Sequence, residues 1–147
     1  MITEYSLADL VGRTIASVNH IEAMDDELTF ICEDGWRFRL YHDQDCCENV
    51  TLEDVIGDFS DITGSPITVA EEVSSDTDEN PYIVSQPILE LVPPEKDDDD
   101  GSQTWTFYKF ETARGGITLR WYGTSNGYYS ERVDLAVYNQ SLMRWFD

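Results

Sequence analysis

The densest run of chemically capable side chains is His42-Asp-Gln-Asp-Cys-Cys-Glu48, which puts an imidazole, two thiols and three carboxylates within seven residues. A zinc site needs four ligands converging at ~2.0–2.3 Å. The third cysteine, Cys32, sits by hairpin register near a turn, with His42 at the far end of the paired strand. Several residues at ~3.3 Å each separate them, too far to share an ion. The remaining spacing of His42, Cys46 and Cys47 matches no zinc pattern, so neither a metal nor a resident cofactor is expected. A Cys–His nucleophile needs an imidazole-activated thiolate. A following helix N-terminus would lower the Cys46 or Cys47 pKa and the surrounding acids would raise it, so the two influences oppose each other. The plainer reading packs one of these cysteines under the helix as a small hydrophobe, and no catalytic residue is assigned.

Glu71 and Glu72 form the other carboxylate pair. Neighbours on a strand point to opposite faces, so they cannot act as one acid–base dyad. An inward-facing member is expected to pair with Arg37, Arg39, Arg120 or Arg132. Trp105, Trp121, Tyr122, Tyr128 and Tyr129 interleave with Lys109, Arg120 and Arg132, a pattern that can stack single-stranded bases. Aromatics at strand spacing are more commonly core, and the chain's overall charge opposes nucleic acid.

The elements that position these residues can be read from periodicity. Ser6 caps a short helix through Leu10-Val11 that stops at Gly12, and residues 14–22 alternate as a strand. Glu27–Cys32 and Trp36–His42 form a hairpin. A three-residue loop with Gly35 in the left-handed position pairs Phe30 with Phe38 and Leu28 with Leu40, which collects the apolar residues on one face. Thr51-Leu-Glu-Asp resembles a capping box, and Leu52, Val55, Ile56, Phe59 and Ile62 follow at helical spacing. Ile67–Val73 reads as a strand. Thr104–Glu111, Ile117–Tyr122 and Tyr128–Tyr138 read as an antiparallel meander, with Ile117, Leu119 and Trp121 beside Val133, Leu135 and Val137. The expected fold is α+β, a twisted antiparallel sheet of about six to seven strands with one main helix packed on a face. The 147 residues suit a single domain, 1–147, with an inserted acidic Pro/Asp-rich loop at about 76–103.

Charge is the largest departure from an average protein. The chain has 30 Asp+Glu against 9 Lys+Arg, a formal charge of −21. Residues 1–75 carry 17 acids and 3 bases, whereas 104–147 carry 4 acids and 5 bases. A magnitude of about 2–8 is enough for solubility, so the surplus points to use. Polyanions such as nucleic acid and anionic membranes are disfavoured as direct partners. On the expected helix, Asp54, Asp58 and Asp61 follow i, i+4, i+7 spacing and stand ~5–6 Å apart. Such a row could imitate a phosphate backbone, with Asp43, Asp45 and Glu48 extending the patch. No apolar run approaches the ~18–20 residues that span a bilayer. The N-terminus lacks a signal-like basic and apolar region, and three cysteines fit a reducing compartment, so a cytosolic location is expected.

Several strings add a resemblance: Tyr41–Glu48, Gly64-Ser-Pro-Ile67, Ala70–Ser74, Thr104–Phe110 and Arg120–Glu131. Over about residues 8–138 the chain resembles a family of small acidic proteins of unknown function carried mostly by bacteriophages. The resemblance implies a virus-encoded accessory protein made in a bacterial cytosol. The leading expectation is therefore an interaction protein, not an enzyme. It would inhibit a basic, nucleic-acid-handling host or defence protein such as a CRISPR effector, nuclease or polymerase. A small-molecule-binding protein or enzyme around His42, Cys46, Glu48 and Glu71 is the alternative. An immunity protein against a toxic nuclease is a third. A concave pocket gathering His42 and Glu71 favours the second, and a convex acidic surface favours the others.

Overall fold

The computed structural model describes residues 4–22, 26–76, 102–125 and 130–147. Most of the acidic 76–103 segment, and Tyr128 and Tyr129, lie outside the described residues. Among the described residues nine strands run β1 (Ile15–Ile21), β2 (Glu27–Cys32), β3 (Arg37–Tyr41), β4 (Asn49–Ile56), β5 (Val69–Asp76), β6 (Ser102–Thr112), β7 (Gly115–Ser125), β8 (Asp134–Asn139) and β9 (Arg144–Phe146). They form two antiparallel sheets, a five-stranded one ordered β1-β2-β3-β8-β9 and a four-stranded one ordered β4-β7-β6-β5.

The alternation along each strand explains the packing. Leu28, Phe30, Phe38, Leu40 and Val137 from the first sheet meet Val50, Tyr108, Phe110, Leu119 and Trp121 from the second in one buried cluster. Phe30 stands edge-on to Phe110, with ring centroids 5.0 Å apart. The β2–β3 hairpin has the register read from its side-chain faces: Phe30 opposes Phe38 and Leu28 opposes Leu40. Its turn depends on Gly35, at φ +88°, where an added Cβ would lie 2.9 Å from the Gln140 side chain. The N-terminal cap is also present in shortened form. Leu7–Leu10 is a 3-10 turn, and the Asp9 carboxylate accepts the Ser6 amide at 2.7 Å.

The α+β expectation is overturned. Among the described residues there is no main helix, only two 3-10 turns, Leu7–Leu10 and Phe59–Asp61. The segment read as the helix is β4, and a β-bulge explains the misreading. Leu52 opposes Trp121 and Val55 opposes Leu119, so four residues on β4 lie opposite three on β7. The extra residue restores both side chains to the core face at a spacing that imitates a helix. The expected meander is corrected too. β7 does not continue to β8; β8 returns to the first sheet and pairs with β3, with Phe38 opposite Val137 and Tyr41 opposite Asp134. One sheet therefore becomes two.

The paired faces predict where stability resides. Phe30→Ala should cost about 3–5 kcal/mol by urea denaturation. Glu53→Ala, at the bulge, should stay within about 0.5–1 kcal/mol, because its ion pair with Arg120 is partly solvated.

Candidate functional site

The loop from β3 to β4, residues 42–48, crosses from one sheet to the other. It is organised by Glu48, whose side chain is fully buried at the start of β4. One Glu48 carboxylate oxygen accepts the Asp45 amide at 2.6 Å and faces His42 Nε2 at 3.1 Å. The other accepts the Cys46 amide at 3.4 Å, and Gln44 Nε2 donates to the Glu48 carbonyl at 2.7 Å. His42 Nδ1 lies 2.7 Å from the Arg132 carbonyl. Both ring nitrogens thus face protein oxygens. The Asp45 amide above all, with His42 and the loop amides, holds the Glu48 carboxyl down at about 2 against the opposing effect of burial. Glu48 is therefore a buried support of the loop and not part of an exposed acidic patch.

Cys46 and Cys47 are bonded to one another as adjacent residues. Both are exposed, so neither packs as a small hydrophobe under a helix. The free thiol is Cys32, buried near the hairpin turn and pushed up to about 11 by burial and the nearby Asp34. Among the described residues no group of three or more His, Cys, Asp or Glu could hold a metal ion.

Beside this loop lies a cleft of about 830 Å³. Four carboxylates line it, Asp43, Glu72, Asp134 and Asp147, with Arg132 as its cation and the His42 ring in its wall. Arg132 is largely exposed and 3.7 Å from Asp134. Asp134 also accepts the Asp43 amide at 3.0 Å. Tyr41 reports the resulting field: burial first, then Asp147 and Asp134, raise its hydroxyl above the usual range. Glu72 accepts a hydrogen bond from Tyr108 Oη at 2.6 Å, which corrects the expected arginine partner. Burial and Glu72 raise the Tyr108 hydroxyl in turn, so it stays a donor. Glu71 points away from this wall, opposite Lys109.

The six acids selected from sequence do not form one row. Asp43 lines the cleft and Asp45 is exposed on the same loop. Asp54 lies on β4, 3.5 Å from Arg120, which also reaches Glu53 at 3.4 Å. Asp58 caps the Phe59–Asp61 turn, its carboxylate accepting the Ser60 amide at 2.9 Å, and this contact lowers its pKa. Asp61 is half-buried, and its carbonyl accepts from Thr112 Oγ1 at 2.6 Å. Eight strand residues at ~3.3 Å each separate the Asp45 and Asp58 ends, so the ~5–6 Å helical spacing is lost. Sequence reasoning missed Glu72, Asp134 and Asp147. The signal that would have found Asp134 is the β3–β8 pairing that sets it opposite Tyr41.

Residues 8–135 match the family described as Domain of unknown function (DUF7448). The chain belongs to that family. The matched span includes His42, Asp43, Glu48, Glu72 and Asp134 and ends before Asp147. No curated protein and no solved structure matches the chain. No helix among the described residues is long and apolar enough to cross a membrane.

The Glu48 contacts set a pH dependence. A carboxyl whose folded pKa is depressed from 4.5 to about 2 contributes stability that is complete above the higher value and lost as pH falls to the lower. Glu48→Gln should lower the urea midpoint at pH 7. It should also flatten the fall in stability across that acid interval, as followed by urea titrations at stepped pH.

Proposed function

We propose that the protein is a non-catalytic interaction protein, of the accessory type carried by bacteriophages. It acts in the bacterial cytosol by engaging a basic, nucleic-acid-handling protein through an acidic surface. The observation that carries this reading is the cleft itself: four carboxylates against one exposed guanidinium, at the end of a chain with formal charge −21. A cleft so lined accepts a lysine or arginine side chain, and the field around it speeds encounter with a basic surface. The reactive groups nearby are committed to the fold, since His42 and Glu48 satisfy one another and Glu72 is bonded to Tyr108. The exposed acids outside the cleft, Asp45, Asp54 and Asp58, extend the negative surface along the β4 edge. With Asp54 on a strand and Asp58 capping a turn, no helical row stands to imitate phosphates, and attraction of cations takes its place. The concavity of the cleft favours a second reading, a small polycationic molecule as ligand.

The test joins Asp43→Asn, Glu72→Gln, Asp134→Asn and Asp147→Asn in one variant, each change keeping the side chain's shape and acceptor oxygen. Full-length wild type should capture a basic protein from bacterial lysate and release it with rising salt between about 50 and 200 mM. The variant should bind the purified partner at least about tenfold more weakly, with a shallower salt slope. Double-stranded DNA should compete for the partner. Equal affinities and equal slopes for the two proteins would end this reading, and spermidine binding in the cleft without a protein partner would establish the second.

A further inference from the structure

The four-carboxylate cleft is not the only charged feature that stands apart from its surroundings. In a chain with 30 acids and 9 bases, a cation would ordinarily find a carboxylate. Arg13 pairs with Asp34, Lys109 with Glu111, Arg120 with Glu53 and Asp54, and Arg132 with Asp134. Arg114 donates to the Thr63 carbonyl and Arg144 stacks on Phe146. Among the described residues Arg37 and Arg39 pair with no carboxylate either. Both lie on β3, on the side of the five-stranded sheet that faces away from the core, and they stack on aromatic rings instead.

The pairing makes this a continuous row. Arg37 opposes Tyr138 on β8, and Tyr138 opposes Trp145 on the edge strand β9. The Arg37 guanidinium carbon lies 5.4 Å from the Tyr138 ring centroid, and that of Arg39 lies 4.5 Å from the Trp145 ring. The Tyr138 and Trp145 rings are 5.5 Å apart. At the end of the row, the β8–β9 turn exposes Leu142 by 57% and Met143 by 74%, where polar turn residues would ordinarily stand. The turn is held in place. The buried Asn139 accepts the Leu142 amide at 3.0 Å and donates to Tyr5 Oη at 2.7 Å, and Met143 adopts φ +54°, in the left-handed region.

Arginine, tyrosine, tryptophan and methionine are the side chains enriched where proteins bind one another. Here Arg37, Arg39, Tyr138 and Trp145 already pack on one another, which reduces the entropy lost on association. We propose that this face docks a protein segment that presents carboxylates beside apolar side chains: the carboxylates meet Arg37 and Arg39, and the apolar groups cover Leu142, Met143 and Trp145. The charge of the face selects that chemistry. An acidic segment also meets the −21 of the chain, but it brings only the few carboxylates that Arg37 and Arg39 can meet, whereas a second copy brings another −21 and nucleic acid a charge at every nucleotide.

The probe is a random library of twelve-residue peptides displayed against the full chain. The enriched peptides should carry Asp or Glu beside Leu, Phe, Met or Trp. They should bind Arg39→Ala at least tenfold more weakly than wild type. They should lose as much on Leu142→Ser combined with Met143→Asn, a pair that removes the apolar groups while asparagine tolerates the left-handed backbone. Thermal unfolding should show both variants folded, and Arg132→Ala, in the cleft, should bind as wild type does. The proposal is overturned by an absence of enrichment, by enrichment of basic peptides alone, or by peptides that bind both variants undiminished. It is equally overturned if a single-stranded dT20 oligonucleotide displaces the peptides, or if sedimentation shows a dimer that the turn variant abolishes.

Discussion

The contact on which the rest depends is the burial of two sheets against each other, with Phe30 edge-on to Phe110 between them. A single antiparallel sheet without a helix would leave one apolar face wet, so the chain divides its strands and closes them on one another. That closure requires crossings. The chain leaves the first sheet after β3, enters the second at β4, and returns to the first at β8. Because β8 then pairs with β3, residues 42–48 and 130–133 meet at one end of the sandwich, where the His42 ring contacts the Arg132 carbonyl. The cleft is a consequence of that meeting. Its carboxylates come from four separate stretches of chain, and only the crossing pattern brings them together.

This explains which parts were legible in the sequence. The β2–β3 register was legible because it is local: only a three-residue loop puts Leu28, Phe30, Phe38 and Leu40 on one face, and Gly35 supplies the backbone that loop needs. The β4 strand was not legible, because its bulge sets Leu52 and Val55 three apart and so reproduces helical periodicity. A bulge is recognised by its partner strand, and periodicity within one segment carries no trace of the partner. The destination of β8 was hidden for the same reason, since its alternation fits β7 as well as β3. The site followed the fold. Asp43 was found from local charge density, whereas Asp134 and Glu72 were reachable only through strand pairings of long sequence separation.

Charge is distributed by competition among weak interactions. A half-exposed ion pair contributes only about 0.2–1 kcal/mol, and an arginine over an exposed aromatic ring about 0.5–1 kcal/mol. With terms this close, local geometry decides. On β3, cross-strand neighbours offer Arg37 a tyrosine ring, and Arg39 lies within reach of Trp145, so stacking prevails. On β7, Arg120 faces Asp54 across the strand and beside the bulge residue Glu53, so ion pairing prevails. The outcome is a molecule whose acids are widespread, with Arg37 and Arg39 stacked on rings of the five-stranded sheet.

The chemistry at the cleft follows from what its groups have already given up. Glu48, held at about 2, takes no proton near neutrality, and its two oxygens are occupied by the loop amides and His42. The imidazole has an acceptor on each nitrogen, which leaves no lone pair directed at a substrate. Cys32 is buried, and its thiol is pushed up to about 11, where thiolate is scarce at neutral pH. What faces the solvent in the cleft is therefore charge held in a fixed shape, with carboxylates anchored by Tyr108 and by the Asp43 amide. Anchored like charges are costly to hold close together, and a cation entering the cleft relieves that repulsion. Binding and stability are thereby coupled: any cation that binds only the folded chain adds its binding energy to the fold in proportion to its concentration.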